Sequence, residues 1–313
     1  MAMAGALAFA TGLVGELQAE SFAGQYRPTA EPVADGVWIV RGADEPIAFS
    51  NGGAIANSAL IATDAGAILV DPGPSFAYAR ALADLAKATT GSAITRVYVT
   101  HLHPDHSLGA AYFDPAIVHA LRATHDGVER DGAGFSDGMY RILADWMAGT
   151  AVVPPQGDVM PGPIEWGGRT LHLHAFSGHS AGDLVLLDDR TRTLIAGDLV
   201  FHDRAPATPH ADLDEWQAAL GKLREIPHDR LIPGHGPLDT DGAAIAQTSD
   251  WLSWLDGALR EAVAGGLDMS EAGALDIPPR FAAMKAARYE MQRSISHFYP
   301  RLEAELLAPV GGK

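Results

Sequence analysis

Thr100-His101-Leu102-His103-Pro104-Asp105-His106 places four groups able to bind a metal ion within six residues. The run before it, Arg96 to Thr100, is rich in β-branched residues and reads as a strand. The cluster therefore falls at a strand's carboxyl end. Pro104 cannot sit inside a regular helix, so the segment is expected to be a loop that turns alternate side chains toward two adjacent points. Imidazole and carboxylate are the ligands zinc accepts when thiolate is absent, and the chain has no cysteine. A lone histidine is usually a structural residue. Three histidines and an aspartate packed this closely after a strand are not explained that way.

Three later positions extend the set: His179 in Ser177-Gly178-His179-Ser180, Asp198 in Ala196-Gly197-Asp198, and His235 in Pro233-Gly234-His235-Gly236. Each follows a strand-like run, and each has a glycine beside it that permits unusual backbone angles and close approach. Strands are expected at Val37–Val40, at Ser58–Ala62 and Ala67–Val70 as a hairpin across Thr63-Asp64-Ala65-Gly66, at Ile117–His119, Thr170–Phe176, Asp183–Leu187, Thr193–Ala196 and Arg230–Ile232. Helices are expected at Phe76–Ala88, in residues 120–150 with a break near Asp131-Gly132-Ala133-Gly134, at Asp212–Leu223 with Asp212 as N-cap, and through the tail from Asp241. Ile245, Leu252, Leu255, Leu259 and Val263 share one face of a tail helix, and Met284–Leu306 forms another. Two β-rich stretches, each followed by helix, fit an α/β sandwich with helices outside two facing sheets.

The bulk numbers narrow the function classes. The 313 residues carry a formal net charge of -17, with 47% apolar and 19% charged residues. Such a charge disfavours nucleic acid and anionic membrane surfaces, both of which call for basic residues. The absence of cysteine excludes a disulfide scaffold. Residues 1–19 read as a signal peptide or apolar N-terminal segment. Met1–Gly15 is an apolar run rich in small residues, and Leu17-Gln18-Ala19 resembles a signal-peptidase site, although no Lys or Arg precedes the run. The run is too short for a stable membrane span. Residues 20–313 are then a single domain, with a helical insert at about 120–150 and a helical C-terminal tail.

The order HxHxDH, GH, GD, GHG resembles the metallo-β-lactamase superfamily, over about Val37 to Leu238. The resemblance implies a four-layer αβ/βα sandwich with metals at the sheet edges. It implies that His101, His103 and His179 hold one zinc, that Asp105, His106 and His235 hold a second, and that Asp198 bridges the two. A pair of metals about 3.5–4 Å apart can share a hydroxide, which serves as nucleophile at neutral pH; Asp105, the expected catalytic residue, orients it. Partners that fix the ligands' orientation are required but cannot be picked out in the sequence.

Within the superfamily, the bridging aspartate is generally absent from true β-lactamases, so Asp198 favours the thioesterase, lactonase and phosphodiesterase branches. Glyoxalase II fits poorly, because Gly236-Pro237 follows His235 where that enzyme has a tyrosine. The segments Ser136–Arg141, Asp145–Thr150 and Ala196–Asp212 are similar to the quinoprotein relay system zinc metallohydrolases, the SoxH-type group. That likeness implies export to the periplasm or beyond and a functional link to a quinoprotein dehydrogenase or a sulfur-oxidation pathway. Tyr140 and Trp146, with Met139, are candidates to roof a substrate pocket; His202 and His210 are candidates to reach into it. Asp203 and Arg204 can pair with each other. The expected function is hydrolysis of a small ester, thioester or related acyl substrate by two Zn2+. The alternatives are an iron-dependent sulfur dioxygenase, since the same ligands hold Fe, a β-lactamase-like amide hydrolase, and a non-catalytic metal-binding accessory protein.

Overall fold

Alternation along the strands gives each of two sheets two buried faces, and that sets the architecture. A computed structural model describes residues 24–307; the N-terminal segment read as a signal peptide lies outside them. The first sheet runs in chain order: β1 (Ala30–Ala34), β2 (Val37–Val40), β3 (Ser58–Thr63), β4 (Gly66–Val70), β5 (Ile94–Tyr98) and β6 (Val118–His119). Helix α1 (Phe76–Thr90) makes the crossover from β4 to its parallel neighbour β5. After β5 come the short α2 (Pro104–Ser107) and the long α3 (Arg122–Leu143). The second sheet has the order β11 (Arg230–His235), β10 (Thr193–Phe201), β9 (Asp183–Asp188), β8 (Arg169–Phe176), β7 (Gly162–Trp166). Helix α4 (Leu213–Glu225) connects β10 to β11, and α5 (Ala243–Ala264), α6 (Met269–Gly273), α7 (Pro279–Ala282) and α8 (Ala287–Leu306) follow.

Successive residues of a strand point to opposite faces, and here both faces are apolar. Ile61, Ile68 and Val70 of the first sheet meet Leu184, Leu186 and Ile195 of the second in one inter-sheet core. The alternate residues Leu60 and Leu69 pack against Tyr78, Ala79 and Leu82 of α1. On the far side, Val185, Leu187 and Leu194 pack with Trp216 and Leu220 of α4, Leu252 and Leu255 of α5, and Phe298 of α8. The result is the expected four-layer αβ/βα sandwich.

Several expectations need correcting. Pro104 does not keep the histidine cluster in a loop: it occupies the first turn of α2, where its missing N–H costs nothing. The break expected near Gly132 is absent, and α3 is continuous. Gly132 is buried, and a Cβ there would lie 2.6 Å from Val152 Cγ1, so this glycine answers to packing. Strand β10 runs through Gly197 to Phe201, with a register irregularity against β11 at that glycine. Two outer strands, β1 (AEPVA) and β7 (GPIEW), were not expected.

Candidate metal centre

The site is assembled where four chain segments leave the two sheets at the same end. The turn after β5 supplies His101 and His103, α2 supplies Asp105 and His106, the loop after β8 supplies His179, β10 supplies Asp198, and the end of β11 supplies His235. All seven are buried. Their donor atoms fall into two groups, His101, His103, His179 and Asp198, and Asp105, His106 and His235, each within 4.8 Å. Asp198 touches both: Oδ2 is 3.4 Å from His179 Nε2 and 3.4 Å from His235 Nε2, and Oδ1 is 3.1 Å from His106 Nε2.

Glycine makes two of these approaches possible. A Cβ on Gly234 would overlap Asp198 Oδ1. Gly178, at φ +148°, lies against the backbone of Trp216, where a Cβ would come within 2.5 Å of its Cα.

The outer atoms of the rings fix their tautomers. His235 Nδ1 donates to the carbonyl of Ile55 (2.9 Å), and His106 Nδ1 donates to Asp71 Oδ2 (2.7 Å). The Thr100 hydroxyl donates to Asp71 Oδ2, so its oxygen accepts from His101 Nδ1 at 2.9 Å. The Nε2 lone pairs of all three rings are thereby turned inward. His101 Nε2 lies 3.0 Å from His103 Nδ1, which lies 2.8 Å from His179 Nε2. Asp198 Oδ1 is buried and makes no hydrogen bond among the described residues. Lone pairs converging on one another and on two carboxylates repel unless a cation lies between them. The donor set and its geometry fit divalent metal ions bound through imidazole and carboxylate.

Burial holds His101, His103 and His179 well below the ordinary histidine pKa. Burial acts the same way on His106, but Asp198, Asp71 and Asp105 outweigh it and hold that ring well above the ordinary value. Burial is likewise outweighed at His235, chiefly by Asp198. The carboxylates that favour a proton on these two rings favour a metal cation in its place, so metal and protons compete for them. Zinc affinity is therefore expected to fall as pH drops through the raised values. Binding should release protons, read by calorimetry in buffers of different ionisation enthalpy. Binding with no proton release would contradict this electrostatic picture.

Asp71, beside the candidate centre, is a residue the sequence did not single out. It is 2% exposed, adopts φ 61° after β4, and accepts from Thr100 N, the Thr100 hydroxyl and His106 Nδ1. One carboxylate thus orients His106 directly and His101 through Thr100. Asp71→Asn is expected to weaken zinc binding about 10–100-fold, measured by competition with a chromogenic chelator. Unchanged affinity would remove Asp71 from the site.

A cavity of about 230 Å3 opens onto the centre, lined by His103, Asp105, Asp198, His235 and the apolar residues Ile47, Ile55, Phe135 and Ile142. His210 also lines it, with Nδ1 2.8 Å from His103 Nε2. The other residues singled out beside the pocket lie elsewhere. The Tyr140 hydroxyl donates to Thr150 O, Trp146 packs on Tyr26 (4.4 Å between ring centroids), Met139 is buried with Leu143 and Met147, and His202 Nδ1 donates to Pro237 O. None of these four lines the cavity. Asp203 and Arg204 do not pair: Arg204 binds Glu290 Oε1 at 2.9 Å, and Asp203 accepts from Gln247 Nε2.

Comparison with known proteins gives a consistent picture. Residues 51–235 match the family model described as metallo-beta-lactamase superfamily. The chain is 29% identical over 192 residues to beta-lactamase-like protein 2 homolog of Caenorhabditis elegans, covering 58% of this chain and 56% of that one. It is 27% identical over 159 residues to acyl-coenzyme A thioesterase MBLAC2 of Gallus gallus, covering 44% and 54%. The chain thus spans just over half the length of these relatives. Among solved structures, a metallo-beta-lactamase from Pontibacter korlensis superposes with a TM-score of 0.59 at 21% identity, over 72% of this chain and 99% of that one. At that identity the likeness speaks for the fold alone.

Proposed function

This chain belongs to the metallo-beta-lactamase superfamily, and from that premise we propose that it is a binuclear zinc-dependent hydrolase of a small ester, thioester or related acyl substrate. The observation that carries the reading is the inward convergence of seven donor groups, with histidine tautomers set from outside, at the floor of a cavity. When bound, two zinc ions supply a nucleophile from water at neutral pH and polarise the acyl oxygen.

The chain's own residues do the rest. Asp105 lines the cavity and orients the attacking water, whose proton its carboxylate accepts. Asp198 spans both ligand groups and holds them at a fixed separation. Ile47, Phe135 and Ile142 take the apolar part of the substrate and exclude bulk water. The bond from the acyl carbon to the leaving oxygen or sulfur breaks. The water oxygen ends on the acyl carbon, and a proton passes to the leaving group.

A relative named as an acyl-coenzyme A thioesterase makes thioesters the first class to try, and a carboxylate touching both groups argues against amide hydrolysis of the β-lactam kind. Export, and a link to a quinoprotein dehydrogenase, complete the proposal and rest on the sequence resemblance. The test is metal analysis of the purified protein with a panel of thioester, ester, lactone, phosphodiester and cephalosporin substrates. About two zinc per chain with acyl hydrolysis is the expected result. Iron with oxygen consumption would replace the hydrolase by a dioxygenase, and a protein that binds no metal would overturn the reading.

A further inference from the structure

One wall of the same cavity carries a charged cluster that metal chemistry does not use. Arg204 and Glu290 are 2% and 0% exposed, and Arg204 Nη2 donates to Glu290 Oε1 at 2.9 Å. Arg293 Nη1 donates to Glu290 Oε2 at 3.1 Å. All three residues line the cavity that holds Asp105 and Asp198. Glu290 and Arg293 belong to α8, which lies beyond the residues that match the family model. The helix is held against the site: Ala205 N donates to Lys285 O, Lys285 N donates to Asp203 O, and the Thr208 and Ser294 hydroxyls meet at 2.7 Å.

A purely structural tie needs one guanidinium for one carboxylate. Here two guanidiniums share one, leaving an excess positive charge. The side chain of Arg293 is 38% exposed, and Arg204 Nε is buried with no hydrogen-bond partner among the described residues. Arg204 also lies over the ring of Phe201 (5.8 Å), which stacks on His235 (5.1 Å between centroids, 7° between planes). The cluster is one aromatic ring from a ligand of the metal centre. In a chain of net charge -17, a positive cavity wall concentrates anions where the remaining surface repels them.

We propose that Arg204 and Arg293 form a docking point for a carboxylate on the substrate. The substrate is then an acyl compound with an acid at its far end, such as the half-ester or half-thioester of a short dicarboxylic acid. Its carboxylate meets the arginines, its apolar segment lies along Ile47 and Ile142, and its reacting carbonyl reaches Asp105. Arginine is suited to this through its planar fork of donors. The identity of the reacting bond rests on the hydrolase reading; the anion site does not.

The test uses the full-length protein and Arg293→Gln, chosen because Arg293 is partly exposed and its loss leaves the buried Arg204–Glu290 pair intact; circular dichroism checks the fold. In the zinc-loaded protein, the ratio of kcat/KM for a half-thioester acid over its methyl ester should fall about tenfold or more in Arg293→Gln, with partial recovery in Arg293→Lys. Separately, calorimetry follows hexanoate and hexanamide binding to the protein as purified and after chelation. Hexanoate should bind more weakly to Arg293→Gln in both states, by a similar factor, and hexanamide should not distinguish the two proteins. Hexanoate binding lost in the variant of a protein that hydrolyses nothing would keep the anion site and reject the hydrolase. Hydrolysis with an unchanged acid-to-ester ratio and unchanged hexanoate binding would reject the anion site alone.

Discussion

Asp198→Ala is expected to bind at most about one zinc per chain and to lose at least roughly a thousandfold in kcat/KM for whichever acyl substrate the wild type hydrolyses, about 4 kcal/mol of transition-state stabilisation. The reason is position. One oxygen of Asp198 stands 3.4 Å from both His179 and His235, and the other 3.1 Å from His106. Asp198 is the one carboxylate whose removal takes a ligand from both groups and the negative charge that draws cations to each. Asp105→Ala is the informative contrast. Asp105 belongs only to the second group, so that variant should keep about one zinc, at His101, His103, His179 and Asp198, while losing turnover. Metal analysis after dialysis, beside steady-state kinetics, separates the two outcomes. A wild-type metal content in Asp198→Ala would show that this carboxylate does not join the groups.

The donor groups that could hold a metal were legible in the sequence because metal chemistry restricts residue type, and strand ends restrict position. Four of the seven donors are packed into residues 101–106, and the rest sit beside glycines that the geometry requires. The sandwich was legible for a similar reason: strands buried on both faces are continuous apolar runs, as in Ala67–Val70 and Thr193–Ala196. What was hidden depends on distance along the chain. Asp71 is a single aspartate before Pro72-Gly73, and as a local pattern it spells a turn. Its partners are Thr100 and His106, and only the fold brings them near. Arg204 and Glu290 are separated by 86 positions, so the sequence suggested the neighbouring Asp203 instead. Strands β1 and β7 contain proline and half-exposed residues, which suits outer strands and interrupts the continuous apolar run that identifies inner ones. Continuous α3 shows the opposite failure, since Gly132 and Gly134 read as breakers while the helix carries both.

Arg169→Ala should destabilise the fold by about 3–5 kcal/mol, the usual cost of removing one partner of a buried ion pair. Arg169 is 2% exposed at the start of β8. Nη1 donates to Asp188 Oδ2 at 2.7 Å, Nε to Ala62 O and Nη2 to Asp35 O. One side chain therefore joins the second sheet to β3 and to the β1–β2 turn of the first, and supplies the charge that balances a buried aspartate. Without it, the Thr191 N–H and hydroxyl still reach Asp188, but no cation among the described residues does. For a chain of this size each kcal/mol lowers Tm by roughly 1.5 °C, so a fall of about 5–8 °C is expected in a thermal melt. The position is also diagnostic. Arg169 begins the eight-residue strand whose other end leads to His179, which at about 3.3 Å per residue puts it roughly 20 Å from the metal ligands. Below its melting temperature the variant should keep the zinc content and kcat of the wild type. Asp198→Ala should behave in the reverse way, losing metal and turnover in a chain whose sheets remain joined. Arg169→Ala protein that stayed folded yet lost zinc would mean that the two ends of the sandwich are coupled, and that inter-sheet packing rather than the local histidine network sets the geometry of the centre.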